Sequence, residues 1–166
     1  MKQLKKENLQ LKLKLERAEE LLNLYRHDSM TGLKMRRDFE ARFTEFFESG
    51  IEFYLTIVDV NGLHNLNRDE DMDAGDRLIK SVASKFMNLS NGIVYRIGGD
   101  EFAGLSLEEP SCPSDDPTFV CAWVSNKTFK SERSMFKSCD RKLIQGKEDY
   151  YKSSNHNRRD RQREDG

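Results

Sequence analysis

Apolar residues fall along this chain in blocks of two periods. Over residues 1–26 they recur at Leu4, Leu11, Leu15, Ala18, Leu22 and Tyr25, and Asn8 completes the alternating steps of four and three. These are the a and d positions of a coiled coil, where an Asn at an a position sets register in a parallel dimer. LQLKLKLE within the segment also alternates strictly, but its Glu/Lys flanks and lack of β-branched residues favour helix. Two outcomes stay open: a dimerising coiled coil, which is favoured, or an amphipathic helix folded back on its own domain.

From residue 27 the pattern is that of a packed domain. In HDSMTGLKMRRDFEARFTEFFESG, Met35, Phe39, Phe43, Phe46 and Phe47 share one helical face, and Ser49-Gly50 ends it. FYLTIVDV, residues 53–60, is apolar and β-branched enough for a buried central strand. A polar loop follows, and from Gly75 a second helix carries Leu78, Ile79, Val82, Ala83, Phe86 and Met87 as a stripe. GIVYRI and EFAGLSL then flank Gly98-Gly99 and read as a hairpin whose turn needs positive φ. Residues 108–117 hold three prolines and read as loop, TFVCAWVS as strand, and SERSMFKSCDRKLIQG as helix. The last residues, KSSNHNRRDRQREDG, are too polar to pack and are expected to be a disordered tail. Helices on a mainly antiparallel sheet, with a βαβ start and a later ββ pair, predict an α+β fold of ferredoxin-like pattern.

Composition narrows the function classes. With 28 basic and 29 acidic side chains the net charge is −1, so no global field draws the chain to nucleic acid or to a membrane surface. No run of about 18 apolar residues is present for a membrane span. Cys112, Cys121 and Cys139 are odd in number and lack close pairing, which reads as buried thiols in a reducing, cytoplasmic setting. An anionic ligand would need a local site.

RIGGDEF, residues 96–102, supplies the candidate chemistry. Asp59 ends a central strand and Asp100-Glu101 tips a hairpin, so neighbouring strands would bring the carboxylates to one sheet edge. Clustered anionic oxygens call for a hard cation, and a divalent ion held by carboxylates beside substrate phosphates is the usual arrangement for nucleotidyl transfer. The competing description is an exposed hairpin with solvated acids. An EF-hand loop in DVNGLHNLNRDE is set aside, because Leu63 and His64 stand where a ligand and Gly belong.

RIGGDEF resembles the signature of the GGDEF family of diguanylate cyclases, and the resemblance runs from Asp28 to about Lys147. DSMTGLKMRR is similar to the family's D-x-L-T-G-L-x-N-R-R. DVNGLHNLNRDEDMDAGD aligns without a gap to D-x-D-x-F-K-x-I-N-D-x-x-G-H-x-x-G-D, and CDRKLIQGK resembles A-D-x-A-L-Y-x-A-K. The resemblance implies a palm-type nucleotide cyclase fold over residues 27–151, between the helix of 1–26 and a tail of 152–166. It also implies condensation of two GTP into cyclic di-GMP and two pyrophosphates, at two half-sites of a dimer. Matched by position, Asp59, the Val60 carbonyl and Asp100 would hold Mg²⁺, with Mn²⁺ as the alternative, while Asp100 and Glu101 would activate the attacking hydroxyl. Asn67 and Asp76 match the guanine-reading pair. Gly62, Leu63 and His64 match the phosphate-cradling backbone, Gly98 and Gly99 let the backbone approach the nucleotide, and Lys147 matches a phosphate-binding lysine.

Several positions depart from the pattern. Asn61 replaces the second Asp of D-x-D, Leu63-His64 replaces Phe-Lys, Arg68 replaces Asp, Asp71-Met72 replaces Gly-His, and Tyr151 stands where an Arg follows the lysine. The R-x-x-D of the product-inhibition site is absent at 89–92, so no inhibitory site is expected. Residues 108–117 replace a helix, which would leave one flank of the sheet uncovered. The alternative is thus a degenerate domain acting as a GTP-binding or dimerising regulatory module. The partners expected are GTP, a second copy joined in parallel through residues 1–26, and an upstream sensory protein acting on that helix.

Overall fold

The computed structural model of the chain describes residues 2–69 and 72–164. Helix α1 (Lys2–Arg26) leads to a two-residue strand β1 (Lys34–Met35), helix α2 (Arg36–Glu48) and strand β2 (Tyr54–Val60). Helices α3 (Leu63–Asp69) and α4 (Met72–Leu89) follow, then strands β3 (Ile93–Arg96), β4 (Glu101–Ser106) and β5 (Phe119–Ser125), and helix α5 (Glu132–Glu164).

The sheet runs β1-β3-β4-β2-β5, antiparallel except where β1 pairs with β3. Because β4 is antiparallel to both its neighbours, β2 and β3 are parallel with β4 between them, and α4 is part of the connection between them. That split βαβ is the ferredoxin-like arrangement, and the architecture is α+β, as the pattern of blocks predicts.

β2 is buried on both faces, and its period of two divides the core. Leu55 and Ile57 join Phe39 and Phe43 of α2 and Met135, Cys139 and Leu143 of α5. Val58 and Val60 join Ile79, Val82 and Phe86 of α4. Asp59, alternating with Val58 and Val60, therefore points to the α2/α5 side. α1 stands apart: its described side chains from residue 3 to 23 are exposed, with Leu4, Leu11, Leu15 and Leu22 at 64%, 62%, 59% and 60%. It is not folded back onto the domain.

Five expectations are corrected. The helix after Asp28 begins at Arg36, because Asp28 Oδ1 accepts from the N–H and hydroxyl of Thr31 at 2.8 and 2.7 Å and closes a turn; Met35 lies in β1, off the phenylalanine face. The helix expected from Gly75 begins at Met72, with α3 before it. Gly98 and Gly99 do not adopt positive φ, since the turn is a four-residue loop in which Ile97 and Gly98 N–H groups both donate to the Glu101 carbonyl at 2.9 and 3.1 Å. Cys112 and Cys121 form a disulfide across Cα atoms 5.6 Å apart, whereas Cys139 is a buried thiol as expected. Finally, the backbone of α5 stays helical to Glu164, through the expected tail; Arg, Gln and Glu there are good helix formers.

The short 108–117 loop does thin the cover on β5. Ala122 and Val124 are buried beneath α5, while Cys121 and Trp123, facing the other way, are half-buried. The disulfide, Lys85 Nζ donating to Asp116 Oδ2 at 2.8 Å, and Ser111 N–H donating to the Leu89 carbonyl tie the loop down. No helix of the described residues is long and apolar enough to cross a membrane.

Candidate functional site

β2 and β4 bring the acidic residues together. Asp59 is paired directly with Glu101 in the antiparallel register and with Val120 on its other side. Cross-strand partners present their side chains to the same face. The Val60 N–H donates to the Asp100 carbonyl at 3.0 Å, tying the hairpin loop to the end of β2.

The electrostatics centre on Asp59, which is 6% exposed. Burial pushes its carboxyl above the ordinary value, Asp100 and Glu101 add to the rise, and Lys147 opposes it. Lys147 Nζ lies 2.6 Å from Asp59 Oδ2, while Oδ1 is buried with no hydrogen-bond partner among the described residues. A buried carboxylate oxygen without a donor is costly, and a cation at this edge would satisfy it. Asp59, Asp100 and the Val60 carbonyl are hard oxygen donors of the kind Mg²⁺ and Mn²⁺ take. They amount to two carboxylates and a carbonyl; no group of three or more His, Cys, Asp or Glu set for a metal occurs among the described residues.

Two arginines hold the acidic hairpin. Arg96 donates to Asp28 Oδ1 at 2.9 Å and to the Gly99 carbonyl at 2.6 Å, joining the DSMTG turn to the loop. Burial works against the ionised Asp28, but hydrogen bonds from Thr31 and Arg96 outweigh it and hold its carboxyl below the ordinary value. Arg36, at the start of α2, donates Nε–H to the Ile97 carbonyl at 2.7 Å and sets Nη2 3.7 Å from Glu101 Oε2. Gly98 leaves room for that carboxylate: a Cβ there would come within 2.6 Å of Glu101 Oε2. Sequence alone gives Arg36 no role; its one signal is the Arg-Arg that ends DSMTGLKMRR.

The remaining candidates line the chain beyond β2. Gly62 takes φ of 71° and precedes α3, so Leu63 and His64 contribute first-turn N–H groups that have no intrahelical acceptor. The Leu63 side chain packs against the α4 core, while His64 is exposed. Asn67 on α3 lies against Gly75 of α4, which half-buried Asp76 follows in the chain, and its Oδ1 is buried without a hydrogen-bond partner among the described residues. Both amide atoms of Asn61, 5% exposed, are likewise unpartnered among the described residues. The structure thus gathers Asp59, Asp100, Glu101 and Lys147 at one edge of the sheet and sets Asn67 against Gly75, the chain neighbour of Asp76, at the α3/α4 contact.

Residues 25–117 match the family described as diguanylate cyclase, GGDEF domain, more than half of the chain. A Streptomyces griseus protein described as uncharacterized, in the hutH 5′ region, is 33% identical over 104 residues, covering 58% of this chain and 43% of that protein. The diguanylate cyclase VdcA of Vibrio cholerae is 32% identical over 78 residues, covering 46% of this chain and 23% of VdcA. The chain thus spans less than half the length of these curated relatives. Among solved structures, the coiled coil and GGDEF domain of DgcB from Caulobacter crescentus, in complex with c-di-GMP, superposes with a TM-score of 0.75 at 18% identity, over 88% of this chain and 93% of that one. That likeness speaks for the fold. With the matched segment spanning the DSMTG turn, the Asp59 strand and the RIGGDEF hairpin, the chain belongs to the GGDEF domain family.

Proposed function

We propose that the domain is a diguanylate cyclase, condensing two GTP into cyclic di-GMP and two pyrophosphates across a dimer of half-sites. The observation that carries it is the meeting of Asp59 with the Asp100-Glu101 hairpin, leaving Asp59 Oδ1 buried and unpartnered. Asp59, Asp100 and the Val60 carbonyl would hold Mg²⁺, or Mn²⁺ in its place. When bound, that ion supplies charge neutralisation at the phosphates. Asp100 and Glu101 would accept the 3′-hydroxyl proton as that oxygen attacks the α-phosphate of the second GTP and pyrophosphate leaves. Asn67 offers an amide and Asp76 a carboxylate, a donor and acceptor set that can read the guanine edge. First-turn N–H groups at Leu63 and His64 and the Lys147 ammonium would take the phosphate oxygens.

Asp100→Ala should abolish cyclic di-GMP formation, read by chromatography and mass, with an unchanged circular dichroism spectrum. A variant that turned GTP over at the wild-type rate would remove Asp100 from the site. A second reading, a GTP-binding or dimerising module without turnover, is favoured by the departures at Asn61, Leu63-His64 and Asp71-Met72. It predicts calorimetric GTP binding with no product. The site would lie in a cytoplasmic domain, dimerised in parallel through α1 and driven by an upstream sensory partner.

A further inference from the structure

Lys147 enters the acidic edge from α5, and its reach is set by the backbone beneath it. A Cβ at the preceding residue, Gly146, would meet Val120 Cγ1 at 2.8 Å, and Val120 is the β5 partner of Asp59. α5 therefore lies hard on β5 beside the carboxylate. The ammonium stands 2.6 Å from Asp59 Oδ2, on a side chain 32% exposed against 9% for the aspartate. It occupies one oxygen of the carboxylate and leaves the other bare. A second cation on the same carboxylate would be repelled by the ammonium only a few ångströms away. One turn on, position 151 holds a tyrosine, 46% exposed, and so offers no second cationic side chain to take over either task.

We propose that Lys147 is an exchangeable counter-ion: in the nucleotide-free protein its ammonium neutralises Asp59 and excludes a divalent cation, and it moves to the triphosphate when nucleotide and metal bind together. The exchange rests on the cyclase reading, in which Asp59 is a metal ligand and Lys147 a phosphate ligand. The longer, half-solvated lysine can swing while the buried aspartate stays. Metal and nucleotide are then positively linked, because each removes the competitor of the other. A free metal site is not left open to whichever divalent ion is present.

The test is a Mn²⁺ titration of the full chain without nucleotide, following the free-ion paramagnetic resonance signal. Lys147→Met keeps the apolar stem and removes the charge, and should bind Mn²⁺ about ten-fold or more tighter than wild type, in the range of ordinary coupling between sites. Asp59→Ala added to it should erase the gain. Equal or weaker Mn²⁺ binding by Lys147→Met, in a protein that still binds Mn²⁺ with a non-hydrolysable GTP analogue, would overturn the exchange and leave the metal reading standing. If neither protein bound Mn²⁺ even with the analogue, the exchange and the metal reading would fall together. Lys147→Gln, read the same way, serves if the Met variant does not fold.

Discussion

At the scale of single residues, the acidic edge depends on side chains far apart in sequence. Asp28 and Arg96 are separated by 68 positions yet meet at 2.9 Å with side chains 20% and 12% exposed. The folded Asp28 carboxyl lies below its ordinary value of 3.8, so it binds protons less readily than in the unfolded chain. Its stabilisation is fully present above that value and is lost as pH falls below it through the lower folded value. Asp28→Asn should therefore cost about 1–3 kcal/mol at pH 7 and flatten the acid limb of stability below about pH 4, measured by urea unfolding at stepped pH. An unchanged acid limb would mean that the pair contributes nothing there. Asp59, Asp100 and Glu101 were legible in the sequence because strand ends and a hairpin tip carry their own local signals. Arg36 was not, since its partner Ile97 lies 61 residues away. Lys147 is singled out in the sequence only by the family resemblance, as an expected phosphate ligand, and its contact with Asp59 depends on how closely α5 packs on β5, which no local pattern encodes. The Cys112–Cys121 bridge, nine residues apart, likewise arises from the loop folding back on β5.

At the scale of elements, period and burial agree. The stripe of α4 buries Ile79, Val82, Ala83 and Phe86 on the sheet, and β2 alternates between two cores as a central strand should. Phe86 is 1% exposed; Phe86→Ala should destabilise by about 3–5 kcal/mol through lost burial and an unfilled cavity, seen as a shifted denaturation midpoint with an unchanged slope. A loss below about 1 kcal/mol would show a site able to collapse around the change. Boundaries were harder to read than elements. Gly75 looked like a helix start because glycine is a poor helix former, yet here a Cβ would strike Asn67 on α3, so close helix packing outweighs propensity. Gly98 misled in a related way: what the hairpin needs from it is space for Glu101 rather than a positive φ.

At the scale of the whole molecule, α1 carries an apolar stripe that the domain leaves exposed along the helix. Under the proposed dimer, that stripe would be the seam of a parallel coiled coil. Joining two domains through it would raise the effective concentration of one half-site at the other. A chain beginning at His27 should therefore be monomeric by light scattering at low micromolar concentration and much slower to form product, with activity recovering as protein concentration rises. A monomer as active as the full chain would separate α1 from catalysis.

The most direct measurement is to incubate the full chain with GTP and Mg²⁺, then with Mn²⁺, and to resolve the products by chromatography and mass. Cyclic di-GMP and pyrophosphate from wild type, and neither from Asp59→Ala, are the predicted results. Intact GTP at high protein concentration with either ion would contradict the cyclase.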